Sequence, residues 1–125
     1  MPLRSSLSPL LLPAVGAALL AACGSSTSSN GPSPDVRIVA NAETKGFQAY
    51  SPDTISVSLS THGGRVTFRN DDGTTHTVTD TTAAALFSKT LGAGQTASLT
   101  FASTGSFPFK CSIHPGMRGL IQVTP

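Results

Sequence analysis

Charged side chains are scarce in this 125-residue chain: they make up 11% of it, and the formal net charge is +2. Arg4 is the only charge in the first 22 residues, so their removal would lower the net charge to +1 (2 − 1). Nucleic-acid-binding proteins carry clustered positive charge, and nothing in this composition marks such a function. A protein partner must therefore be recognised by a local patch.

The chain also lacks an apolar run long enough to cross a bilayer. The run from Leu10 to Ala22 falls short of the roughly 20 residues that a membrane-spanning helix needs. It ends in the sequence LAACG around Cys23, which resembles the lipobox of bacterial lipoproteins. We therefore expect residues 1–22 to be a signal peptide and Cys23 to carry lipid after cleavage. A secreted protein that is cleaved nearby and carries no lipid is the alternative.

The next segment has almost no apolar side chains. Residues 24–34, GSSTSSNGPSP, cannot bury enough surface to offset the entropy cost of ordering them. We therefore expect residues 23–34 to be a flexible tether to a membrane of the cell envelope. Residues 35–125 then form a single domain.

The chain has only two cysteines, Cys23 and Cys111. If Cys23 carries lipid, Cys111 is a lone thiol in an oxidising compartment, which requires an explanation. One alternative is a buried, inert cysteine. The other is a disulfide between the two, which is disfavoured because Cys23 would lie on the lipidated tether.

No segment has a convincing helical period. From Thr54 onward, apolar and polar residues alternate with period two in segments rich in Val, Ile, Thr and Phe, separated by glycine-containing turns. This pattern predicts an all-β sandwich or barrel. Residues 36–40 and 46–50 should add one or two strands, and residues 81–89 could be a helical turn or a loop. The side chains expected to face the core are Ile55, Val57, Leu59, Val66, Phe68, Ala97, Leu99 and Phe101.

The last third of the chain carries the candidate chemistry. Cys111 ends a predicted strand, and His114 and Met117 follow it with the spacing Cys-x2-His-x2-Met. Thiolate, imidazole and thioether together favour copper, and a second histidine would complete the ligand set of a blue-copper electron-transfer site. His76 is the candidate, since a Greek-key fold can bring its strand beside Cys111.

Three segments together resemble the cupredoxins, specifically the plastocyanin and amicyanin branch: VTFRN at 66–70, HTV at 76–78 and FKCSIHPGM at 109–117. The resemblance implies a Greek-key β-sandwich of about seven or eight strands with one type 1 copper for single-electron transfer. It implies His76, Cys111 and His114 as equatorial ligands and Met117 as the axial one. It also implies that a redox partner docks on an apolar patch around His114.

Two positions depart from the family pattern: Thr77 stands where asparagine is common, and Ile113 where proline is common. We expect both, with Asn70, to surround the ligands. Because isoleucine has a backbone N–H and proline has none, the amides of Thr77 and Ile113 should both lie within about 3.8 Å of the Cys111 sulfur. Ile113→Pro should then lower the reduction potential.

Other polar residues are assigned no role in chemistry. We expect His62 to be exposed, and Asp71 and Asp72 to form a turn. A copper enzyme such as nitrite reductase would need several additional histidines, and only His62 is left over, so we expect no enzymatic activity. We also expect a monomer. The remaining alternative is a copper carrier, store or sensor that uses the same ligands without redox turnover.

Overall fold

The structure, a computed structural model, describes residues 33–125. These residues form nine strands. The longest strand, with seven residues, is the last in the described part of the chain. One α-helical turn, α1, spans Leu59–His62. Two 3-10 turns lie at Ala42–Thr44 and Gly46–Gln48. The strands are β1 (Val36–Ile38), β2 (Tyr50–Ser51), β3 (Thr54–Ser58), β4 (Arg65–Asn70), β5 (His76–Asp80), β6 (Ser88–Leu91), β7 (Thr96–Thr100), β8 (Gly105–Lys110) and β9 (Arg118–Thr124).

These strands form two sheets, one ordered β2-β1-β4-β7 and the other β3-β9-β8-β5-β6. Alternate residues of each strand face the shared core, as on β4, where Val66, Phe68 and Asn70 are buried. Phe109 lies at the centre, edge-on to Tyr50 at 4.8 Å and to Phe68 at 5.6 Å between ring centroids. The predicted all-β sandwich is confirmed, with nine strands because the two-residue β2 is counted.

Two local expectations are wrong. Leu59 does not continue β3, because the Ser58 hydroxyl accepts hydrogen bonds from the amides of Ser60 and Thr61 and begins α1 instead. Gly46–Gln48 is a 3-10 turn, and pairing with β1 starts only at Tyr50. The ambiguous segment before Ser88 is a loop.

In the described part of the chain, no helix is long and apolar enough to span a membrane. The predicted signal peptide and Cys23 lie outside the described residues. Their boundaries therefore stay predictions.

The strand register brings the two candidate ligand segments together. Thr79 of β5 pairs with Lys110 at the end of β8, so the start of β5 extends past that end. Because the strands are antiparallel, His76 at the start of β5 lies beside the residues that follow Lys110. The sheet thus positions the candidate site at one end of the sandwich.

Candidate metal centre

Three side-chain donor atoms meet at this end of the sandwich. His76 Nδ1 lies 3.2 Å from His114 Nδ1, and Cys111 Sγ lies 3.9 Å and 3.8 Å from these two nitrogens. His76 and Cys111 are fully buried, and His114 is half-buried. Because each residue turns one donor atom toward the other two, the group can hold a single metal ion.

A short closed loop carries Cys111, His114 and Met117. The Cys111 amide donates to the Met117 carbonyl at 3.0 Å, and the Met117 amide donates to the His114 carbonyl at 3.0 Å. These bonds fix the spacing between the three residues. The Met117 side chain is fully buried within the same loop.

The environment of the Cys111 sulfur favours the thiolate. Burial raises the pKa of this thiol, but nearby hydrogen-bond donors, the backbone amides of Thr77 and His114 first among them, lower it more, so that it falls to about 6. The Thr77 amide donates to the sulfur at 3.3 Å. At neutral pH the side chain is therefore in the form that binds metals.

Thr77 also connects β5 to the loop. Its hydroxyl oxygen accepts a hydrogen bond from the Ser112 amide at 2.8 Å, and its carbonyl accepts one from the buried Tyr50 hydroxyl at 2.6 Å. These two bonds hold the residue that donates to the Cys111 sulfur. Thr77 thus lies next to the candidate ligand Cys111.

The hydrogen bond expected from Ile113 is not formed. Of the two amides predicted to donate to the Cys111 sulfur, only that of Thr77 does so. The loop turns directly after Ser112, whose amide is bound to Thr77, and the Ile113 side chain is 52% exposed. The hypothesis that Ile113→Pro lowers the reduction potential therefore loses its basis.

Asp72 supports the far side of the His76 ring, which the sequence does not predict. Its Oδ2 lies 2.7 Å from His76 Nε2, and the Thr74 hydroxyl donates to the same oxygen at 2.9 Å. The hydrogen bond with His76 holds the pKa of the Asp72 carboxyl well below its usual range. The sequence carries one signal for this contact: Asp72 lies four residues before the candidate ligand His76, with a glycine-containing turn between them.

Asn70 holds the turn that contains Asp72. Its side-chain nitrogen donates to the carbonyls of Thr74 and Leu91 at 2.7 Å and 3.0 Å. Its side-chain oxygen accepts from the Asp72 amide at 2.9 Å. Asn70 therefore contacts Asp72, which in turn contacts His76, whereas Thr77 contacts the Cys111 sulfur directly.

Two other polar residues, His62 and Glu43, do not belong to the group formed by His76, Cys111 and His114. His62 ends α1, is exposed, and is bound to the Thr61 hydroxyl at 2.7 Å. The exposed Glu43 lies close to Asp72 and His76, and these three could also be read as a metal-binding group. Exposed carboxylates are common without a metal, and Asp72 already has partners.

The sequence of the whole domain matches a known family. The family described as the Cupredoxin-like domain matches residues 13–123, which is most of the chain. The protein belongs to the cupredoxin-like family. No curated protein matches the chain.

Solved cupredoxins have the same fold. The novel purple cupredoxin from Nitrosopumilus maritimus is 24% identical, with 74% of this chain and 100% of that one covered at a TM-score of 0.64. A reduced amicyanin mutant is 25% identical over 71% of this chain and 79% of its own, with a TM-score of 0.56. A copper-containing nitrite reductase from Thermus scotoductus is 23% identical over 76% of this chain but only 23% of its own, with a TM-score of 0.56.

The donor set fits the metal of this family. Cupredoxin-like proteins bind copper, and His76, Cys111, His114 and Met117 form a candidate site for it. One thiolate and two imidazoles are the borderline and soft ligands that copper accepts, whereas magnesium and calcium prefer oxygen. The protein part of the site thus needs no further residue to match copper chemistry.

Proposed function

We propose that the protein transfers single electrons through one type 1 copper ion that would be held by His76, Cys111 and His114, with Met117 as a fourth, weaker ligand. The convergence of a thiolate and two imidazole nitrogens carries this proposal. Copper bound there would supply a centre that alternates between Cu(II) and Cu(I).

The protein's own contribution is to hold the donors still. His76 is fixed from behind by Asp72, and the loop from Cys111 to Met117 is closed by its own backbone bonds. Burial of His76 and Cys111 keeps bulk water away from two of the donors. A site that changes little in shape is suited to electron transfer, because little reorganisation accompanies each change of charge.

The half-buried His114 is the donor closest to solvent, and we propose that electrons enter and leave beside it. Ile113 is 52% exposed on the same loop, and Phe47 is 67% exposed in the turn that begins at Gly46. A Cβ atom on Gly46 would lie 3.9 Å from the Gly116 carbonyl oxygen, so this turn lies beside the loop. We propose that a redox partner protein docks on these apolar side chains. We also propose that the protein is a monomer.

We also propose that the protein is exported and works at the cell envelope, attached to a membrane through lipid on Cys23. The lipobox-like sequence before Cys23 supports this. The same location suits a lone cysteine, because lipidation of Cys23 leaves Cys111 free for metal.

The proposal does not include enzymatic turnover. The nitrite reductase relative shares the fold over less than a quarter of its own chain, so the likeness covers one domain of a larger protein. Beyond His76 and His114 the chain has only His62, which is exposed at the end of α1.

The visible absorption spectrum of the copper(II) form tests the assignment. We expect an intense thiolate-to-copper band in the wild type, its loss in Cys111→Ser, and no change in the matched control His62→Ala. If Cys111→Ser kept the band, or the wild type had none, the assignment would be wrong. A band that is present but cannot be cycled by reduction and reoxidation would support the carrier or store instead.

A further inference from the structure

Asp72 has no role in the proposed ligand set, yet it contacts a candidate ligand. We propose that Asp72 is a positioning residue that fixes the proton of the His76 ring on Nε2, and that its negative charge favours copper(II) over copper(I). The second part rests on the proposed function, and the first part can be tested without copper.

The geometry decides which ring nitrogen carries the proton. An ionised carboxylate can only accept hydrogen bonds, so a short contact of 2.7 Å between Asp72 Oδ2 and His76 Nε2 requires the hydrogen on Nε2. A neutral imidazole then has its free lone pair on Nδ1. That is the atom that faces Cys111 and His114.

Asp72 is itself held in place. Its Oδ1 accepts from the Asn41 amide at 2.9 Å, and its Oδ2 accepts from the Thr74 hydroxyl at 2.9 Å. The residue is 8% exposed, so it has little room to rotate away from the ring. With both oxygens in use, Asp72 is better suited to orienting His76 than to binding a second metal with Glu43.

The charge of Asp72 should act on the metal through His76. Carboxylates bound to a ligand histidine raise its basicity, and loss of such a partner typically costs about 10- to 100-fold in metal affinity. A nearby negative charge stabilises the doubly charged ion more than the singly charged one. If Asp72→Asn weakens copper(II) binding about tenfold more than copper(I) binding, the reduction potential rises by about 59 mV.

The neighbouring Asp71 provides a matched control. Asp71→Asn makes the same chemical change one residue away, but this carboxylate is bound to Arg37 and Arg69 at 2.6 Å and 2.7 Å and does not contact His76. Its side chain is 31% exposed. Its removal should therefore leave the His76 ring and the potential nearly unchanged.

The first test uses nitrogen-15 NMR of the full chain without metal at about pH 8, where an ordinary imidazole is neutral. In the wild type we expect His76 with a protonated Nε2 and a bare Nδ1. A protonated Nδ1 in the wild type would overturn the proposal without any mutant. In Asp72→Asn we expect a mixture of the two tautomers, whereas Asp71→Asn should keep the wild-type form.

The second test measures copper(II) affinity by chelator competition and the reduction potential of both variants. We expect Asp72→Asn to lose about 10- to 100-fold in copper(II) affinity and to have a higher potential. Equal shifts in the two variants, or a lower potential in Asp72→Asn, would overturn the charge effect. If wild-type protein bound no copper, the proposed function would fail, while the metal-free NMR result would still decide the role of Asp72.

Discussion

Cys111 should make the stability of the metal-free protein depend on pH. In the folded chain the pKa of its thiol falls from an ordinary value of 9.0 to about 6. The folded state therefore binds this proton less tightly than the unfolded chain does. The resulting stabilisation is complete above the unfolded pKa and is lost as the pH falls through the folded pKa.

The size of the effect follows from the two pKa values. The full shift corresponds to about 4 kcal/mol of unfolding free energy, at about 1.36 kcal/mol per pKa unit. Only about 1 kcal/mol of it is present at pH 7, and about 3 kcal/mol at pH 8.5. Between these two pH values, Cys111 should add about 2 kcal/mol to the stability.

Urea unfolding of wild type and Cys111→Ser measures this contribution, with chelator and reductant present. Serine does not titrate in this range, so the difference between the two proteins reports the thiol together with its contacts to His76 and His114. We expect the wild type to gain about 2 kcal/mol of unfolding free energy over the variant from pH 7 to pH 8.5. Parallel pH dependences of the two proteins would refute the reasoning.

Three further changes test the packing and the anchor. Gly119→Ala should cost about 1–3 kcal/mol in unfolding free energy, because the new methyl group would overlap the Phe109 ring; a urea midpoint equal to that of the wild type would contradict this. Tyr50→Phe should cost about 0.5–1.5 kcal/mol in the same assay, because it removes the buried hydrogen bond to the Thr77 carbonyl; no loss would show that the bond is unimportant. Cys23→Ala should move the protein from the membrane fraction to the supernatant with an unchanged copper spectrum, and equal membrane association of the two proteins would count against lipidation.

The strands and the candidate ligands can be predicted from the sequence because both depend on local patterns. The alternation of β4 and β7 sets which side chains are buried, whatever their partners are. Cys111, His114 and Met117 lie within one short loop, so their spacing alone brings them together. His76 follows once the strands are paired as the family resemblance implies.

The remaining features depend on backbone geometry that the residue pattern does not specify. Asp72 reaches His76 because the turn held by Asn70 folds back on itself, and a turn prediction does not say which way a side chain points. Whether the Ile113 amide faces the sulfur depends on a few backbone angles in the loop. Leu59 fits a strand pattern equally well, and only the Ser58 cap removes it from β3.

A redox titration followed by visible absorption tests the central claim most directly. We predict that the intense band of the copper(II) protein disappears on reduction and returns fully on reoxidation. The midpoint curve should have the slope of a one-electron couple, about 59 mV per tenfold change in the ratio of the two forms. A protein that binds copper at His76, Cys111 and His114 but shows no reversible one-electron curve would contradict electron transfer as its function.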